Sequence, residues 1–261
     1  EAAIHDGRSG LLLSGGVDST YLLARLEATG RTPVALTVRF PDAPRYNEDD
    51  YARFAAESFD CPHQLVSVSE ESAAATIEQI VCASTQPMAS WSAVSQLAIR
   101  KHARREGIDR LWSGLGSDEI FGGYDDYLTY HMRLLRRVAR RPPPAGMQPL
   151  LDAALSSGRE ARRVLYPSVA QFATPEALRP FLAQPMASWD YHASLADFYR
   201  ASLGDKPEAN PMELMVAHEM AHRIPDLLLS MFEGLARQNG AVTSYPYLSP
   251  DLVAMASGFS P

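Results

Sequence analysis

The sequence predicts an α/β fold: a parallel sheet with helices on both faces, followed by a mostly helical lobe. Short β-type apolar runs alternate with amphipathic helical stretches as far as Tyr124, the pattern of strand–helix–strand units whose strands run parallel. Beyond that point residues 126–240 carry helical periodicity, broken by Pro142-Pro143-Pro144 and by single prolines. The expected division is a core of 1–125 and a helical lobe of 126–261, with Arg141 to Gly146 as the linker-like stretch.

The elements follow in order. Leu11-Leu12-Leu13 reads as a buried strand and Ser19 to Ala28 as the helix after it. Val34 to Phe40 is a second strand, and Asn47 is suited to cap a helix reaching about Phe59, because its side-chain oxygen can accept a first-turn amide. His63 to Val68 gives a third strand, then Ser69 caps a helix to about Val81. Ser90 caps a longer helix that carries Ile99 and Lys101 and stops near Gly107. Arg110 to Trp112 is a short fourth strand. Ligands on such sheets bind outside the carboxyl ends of the strands, so the loops there are where chemistry is expected.

Composition narrows the possibilities. An apolar fraction of 46% with 21% charged residues is that of a globular chain. No apolar run is long enough to cross a bilayer, and residues 1–13 lack a basic stretch followed by an apolar one, so a cytoplasmic location without membrane contact is expected. Cys61 and Cys82, without a C-x-x-C spacing, are expected to be two buried free thiols. A net charge of −7 argues against a nucleic-acid partner. One local exception is basic: Arg133, Arg136, Arg137, Arg140 and Arg141, followed by Arg159, Arg162 and Arg163. This is either a solvated helix face or a docking patch for an anionic substrate or a carrier protein.

Between the first strand and the first helix lies Ser14-Gly15-Gly16-Val17-Asp18-Ser19. Two glycines let the backbone turn tightly and bring its amides to a ligand. The helix that follows directs its positive end at the same point, which makes an anion site. Ser14 and Ser19 can add hydroxyl donors, whereas Asp18 has the wrong sign for phosphate unless Mg²⁺ lies between them. The loop matches neither G-x-x-x-x-G-K-[ST] nor G-x-G-x-x-G. It resembles the S-G-G-x-D-S pyrophosphate loop of the ATP pyrophosphatase superfamily, whose members transfer AMP and release pyrophosphate.

After the fourth strand comes Ser113-Gly114-Leu115-Gly116-Ser117-Asp118-Glu119-Ile120-Phe121-Gly122-Gly123-Tyr124. This segment resembles the S-G-x-G-x-D-E-x-F-G-G-Y signature of the asparagine synthetase family at every defined position. Arg223-Ile224-Pro225-Asp226-Leu227-Leu228-Leu229 is similar to the family's R-x-P-x-L-L-L helix, and Tyr245-Pro246-Tyr247-Leu248 to its V-P-F-L-D turn. The resemblance implies an adenine nucleotide α-hydrolase-like fold and a ligase using ATP and Mg²⁺. Such an enzyme adenylates a small carboxylate and passes it to ammonia or an amine, forming an amide. It further implies ATP and pyrophosphate contacts at Leu12, Ser14, Gly15, Gly16, Asp18, Ser19, Ser113, Gly114 and Ser117, with Asp18 and Asp118 as metal ligands. Glu233 aligns with a family acid that helps deprotonate the attacking amine, so it is the expected catalytic residue.

Three departures qualify that expectation. Only Glu1 to Leu13 precede the phosphate loop, so nitrogen is expected from ammonia, an amine, or a separate amidotransferase or carrier-protein chain, and not from glutamine. Leu115 stands where asparagine synthetases carry Glu and β-lactam synthetases Tyr, and leucine neither accepts a proton nor donates a hydrogen bond. No lysine follows Lys206, whereas the family has a pyrophosphate-contacting lysine after the V-P-F-L-D turn. The last two departures, Leu115 and the missing lysine, keep open a nucleotide-binding subunit without catalysis. His218-Glu219-Met220-Ala221-His222 also spells the H-E-x-x-H zinc protease motif, but the metzincin third-ligand pattern fails at Pro225 and Leu228.

Overall fold

Strands β1 (Arg8–Leu12), β2 (Val34–Arg39), β3 (His63–Ser67), β4 (Ile108–Trp112) and β5 (Val242–Ser244) form one all-parallel sheet in the order β3-β2-β1-β4-β5. The computed structural model describes residues 8–83, 90–124, 216, 219–239 and 241–256. Among the described residues the α-helices are α1 (Val17–Ala28), α2 (Asp49–Ser58), α3 (Glu70–Ala83), α4 (Ser92–Arg105), α5 (Ser117–Phe121), α6 (Ser230–Asn239) and α7 (Pro250–Ala256). A π-helix, Glu219–Leu229, contains Pro225 and runs directly into α6. The chain divides into two compact units, Glu1–Ser117 with Ile224–Met255, and Asp118–Arg223 with Ala256–Pro261. The sheet belongs wholly to the first.

Period-two alternation sends the strand side chains to opposite faces of the sheet. Leu11, Leu13 and Ala35 pack against Leu22, Leu23 and Leu26 of α1 and against Ala52, Ala55 and Ala56 of α2. Val34, Leu36, Ile108 and Leu111 point the other way and meet Ile99 and Ala103 of α4. Helices on both faces are therefore what the sequence predicts. A third cluster joins α3, α4, α6 and the end of the π-helix through Ile80, Val94, Leu97, Leu228, Met231 and Phe232. Leu11, Leu36 and Leu111 lose essentially all exposure, and each such side chain contributes roughly 1.5–3 kcal/mol.

Strand order fixes where a ligand can sit. From β1 the chain steps outward through α1 and α2 to β2 and β3, then returns past them to place β4 on the far side of β1. The direction of winding reverses between β1 and β4, and the carboxyl ends on either side of such a switch point open a crevice. The loop after β1 is Ser14–Gly16 and the loop after β4 begins at Ser113.

Several local expectations are corrected. Val242–Ser244, in the stretch read as helical lobe, forms β5, which pairs with β4 from Arg110↔Val242 to Trp112↔Ser244. Asn47 does not cap α2, which starts at Asp49. Its side chain instead accepts from Phe40 N at 2.7 Å and donates to Phe40 O at 3.3 Å, tying the end of β2 as a neighbouring strand would. Ser69 does cap α3, accepting from Ser72 N at 3.3 Å. Both cysteines are free, but only Cys61 is buried, and Cys82 on α3 is exposed. Burial pushes the Cys61 thiol pKa up, and its Sγ donates to Pro33 O at 3.2 Å. The basic cluster at 133–163 and the linker at 141–146 lie outside the described residues. No helix among the described residues is long and apolar enough to cross a membrane.

Candidate active site

The loop after β1 is organised by its two serines. Ser14 Oγ lies 3.1 Å from Ser19 Oγ and accepts from Gly16 N at 3.2 Å, while Ser19 Oγ donates to Gly16 O at 3.3 Å. Gly15 sits at φ 81°, and a Cβ there would run into the backbone of Tyr51 and Ala52. Only glycine meets both demands. Gly16 is the N-cap of α1 and offers no side-chain cap. The first-turn amides of a helix have no intrahelical partners, so this terminus presents donors to an anion.

The second loop comes to meet the first. Ser117 Oγ donates to Asp18 Oδ1 at 2.7 Å. A Cβ on Gly114 would lie 3.6 Å from both Asp18 Cβ and Ser19 N, so the two backbones are in van der Waals register. Ser113 N donates to Ser244 O at 3.0 Å, extending the β4–β5 ladder to the edge of the site. Leu12 is half-buried and packs with the apolar cluster on the α4 face. Leu115 also packs inward, against the cluster holding Leu228, Met231 and Phe232, so the motif's variable position adds to an apolar wall. Gly116, at φ 99°, makes room for Leu248, which a Cβ would strike.

A third segment joins them, because β5 lies beside β4. The Tyr247 hydroxyl donates to Asp18 O at 3.0 Å. Burial, with the Asp18 charge beside it, pushes the Tyr247 pKa up to about 12, so this hydroxyl stays a donor. Two residues earlier, the Tyr245 hydroxyl donates to Glu233 Oε1 at 2.9 Å. One short turn therefore touches the phosphate loop with one tyrosine and the expected base with the other. The sequence carries the likeness of this turn but no sign of either hydroxyl's target. It also gave no sign of Arg100, whose guanidinium is fully buried and bonds Thr243 Oγ1 at 2.9 Å.

The second unit has its own ordered cluster. Gly122 N and Gly123 N donate to Asp118 O at 2.8 and 3.0 Å, fixing the turn after α5. The Tyr124 hydroxyl donates to Glu119 Oε1 at 2.7 Å, and the Arg223 guanidinium lies 4.9 Å from the Tyr124 ring centroid. Burial, then the bond and charge of Glu119, pushes the Tyr124 pKa far up. Arg223 also pairs with buried Glu219 at 3.2 Å. The carboxylate that H-E-x-x-H would use as a base is thus already held by a cation. His218 and the side chain of His222 lie outside the description. Among the described residues no group of three or more His, Cys, Asp or Glu forms a metal cluster.

Comparison with known proteins agrees with these motifs. The asparagine synthase family profile matches residues 1–261. A Mycobacterium tuberculosis protein assigned as a glutamine-hydrolyzing asparagine synthetase is 26% identical over 259 residues, 95% of this chain and 38% of that protein. The chain therefore spans well under half the length of that relative. Asparagine synthetase (glutamine-hydrolyzing) 1 of Bacillus subtilis is 28% identical over 118 residues, 45% of this chain and 18% of that protein. A U34-tRNA thiolase from Methanococcus maripaludis aligns over 98% of this chain and 82% of its own, with a TM-score of 0.34 and 14% identity. The chain belongs to the asparagine synthase family.

Proposed function

We propose that this chain is an AMP-forming carbon–nitrogen ligase. It activates a small carboxylate with ATP, releases pyrophosphate, and delivers the acyl group to ammonia or an amine as an amide. The observation that carries the reading is the 2.7 Å bond from Ser117 Oγ to Asp18 Oδ1, which joins the two signature loops at adjacent strand ends. The substrate carboxylate attacks the α-phosphorus of ATP, and pyrophosphate is the leaving group. The α1 amides with the Ser14 and Ser19 hydroxyls hold that leaving group, so catalysis is mostly positioning and charge stabilisation. Leu12, Ser113 and Gly114 border the AMP portion.

The donor set fits Mg²⁺: Asp18 offers hard carboxylate oxygens beside serine hydroxyls, the ligand type this ion takes. By the family resemblance Asp18 and Asp118 are the residues that would hold it, and it would supply positive charge to offset that of the departing pyrophosphate. Glu233, whose carboxylate the Tyr245–Tyr247 turn ties to the same region, takes a proton from the nitrogen nucleophile. Nitrogen comes as free ammonia, as an amine, or from a separate amidotransferase or carrier-protein chain.

Exchange of radiolabelled pyrophosphate into ATP, measured over a panel of small carboxylates, tests this. The expected products with nitrogen present are AMP, pyrophosphate and an amide. Formation of ADP and phosphate would refute the mechanism. Nucleotide binding without exchange for every acid would instead favour a non-catalytic nucleotide-binding subunit.

A further inference from the structure

Arg100 is out of place for a residue of the middle of α4. Its side chain has no exposed surface, and burying a guanidinium is expensive unless its donors are met. Nη1 bonds Gln96 O at 3.2 Å and also Gln96 Oε1, and Nη2 bonds Thr243 Oγ1, whereas Nε is buried without a hydrogen-bond partner among the described residues. The Tyr245 side chain, two residues along the chain from Thr243, acts on the Arg100 charge, and the guanidinium lies 6.0 Å from the ring centroid of Phe232, the residue before Glu233. Tyr245 in turn donates to Glu233 Oε1. A buried cation, a hydroxyl and a half-buried carboxylate thus lie in series behind the site.

We propose that Arg100 and Tyr245 are positioning residues for Glu233: the Tyr245 hydroxyl fixes one carboxylate oxygen and the guanidinium behind it supplies a fixed positive charge, which leaves the second oxygen to take the proton from the nitrogen nucleophile. This inference rests on the ligase reading above. Neither support residue transfers a proton. Burial pulls the Arg100 pKa down, but Tyr245 and the Glu233 charge oppose the pull. Burial raises the Tyr245 pKa, Arg100 lowers it and Glu233 raises it, so Tyr245 remains a donor. The arrangement does for Glu233 what a hydrogen-bonded orienting group does for any catalytic base: it fixes the rotamer and the charge before substrate arrives. It also accounts for Leu115, since a base held from behind needs no polar neighbour at that position.

The test needs no substrate. With 3-fluorotyrosine in place of Tyr245, ¹⁹F NMR follows ionisation of that one hydroxyl. Glu233→Gln should lower its pKa and Arg100→Met should raise it, each by at least about half a unit, as expected for removing a charge within contact range. Opposite signs are the signature, because loosened packing alone would move both variants the same way. Shifts of equal sign, or no downward shift in Glu233→Gln, overturn the inference, and the latter result decides alone if Arg100→Met does not fold. In turnover, Tyr245→Phe should slow amide formation at least tenfold while pyrophosphate exchange is kept, and equal slowing of both overturns the positioning role. Absence of exchange by the unaltered chain with every acid overturns the ligase reading and this inference with it. A Tyr245 pKa that neither variant moves, in a chain that does exchange, overturns this inference alone.

Discussion

At the scale of single residues, the site depends on charge at Asp18 and space at Gly15. Asp18→Asn keeps the bond from Ser117 in shape but removes the negative charge a metal needs, as Asp118→Asn does in the second loop. Each should reduce pyrophosphate exchange at least about tenfold, the scale of disturbing a metal's surroundings. Full exchange by both would show that neither aspartate holds Mg²⁺. Gly15→Ala meets backbone atoms that cannot swing aside, at a φ that side chains avoid, so it should cost about 1–3 kcal/mol in denaturant unfolding and weaken ATP binding. Unchanged stability would mean that the loop refolds around the methyl group. Glu233→Gln preserves shape and removes the base. Amide formation should fall by about 10²–10⁴-fold while exchange persists, and loss of both half-reactions would assign Glu233 to binding the acid instead.

At the scale of elements, β2 and β3 carry a pH-dependent tie to the phosphate loop. The Thr37 hydroxyl donates to Leu13 O at 2.6 Å, and His63 Nε2 stands 2.8 Å from the same hydroxyl oxygen. With the hydroxyl proton given to Leu13, Nε2 must carry the ring proton. Burial, then the Arg53 charge, pulls the His63 pKa below 6.5, against weaker opposition from Asp49 and Glu57. Between its folded and unfolded pKa values the unfolded chain binds more protons, so stability falls as pH drops through 6.5 and below. Urea unfolding at pH 7.5 and 5.5 should show that loss, and His63→Gln, which keeps a donor, should reduce it. An identical pH slope in the variant would clear His63. Strands and helices up to Trp112 were legible because each has a single periodicity and a flanking turn residue. Asn47 was misread as a cap because its side chain prefers the open backbone end of β2, a partner 7 residues away that capping rules do not weigh.

At the scale of the whole molecule, three strand-end segments should respond to one ligand. Hydrogen exchange with Mg-ATP is expected to protect 13–19, 113–117 and 243–248 together, because Ser117 and Tyr247 both hold Asp18. Protection of 13–19 alone would separate the β5 turn from the nucleotide site. The sequence by itself determined the α/β class, the two loops and the family, because tight glycines, a helix start and short-range serine contacts are local and leave fixed spacings. It could not determine β5 or the burial of Arg100. Three residues, Val242 to Ser244, carry too little pattern to announce a strand, and they become one only because β4 offers an open edge. Arg100 looks like any polar helix residue until α4, α6 and β5 close around it. Pairing and burial depend on what lies across space, which spacing along the chain does not record.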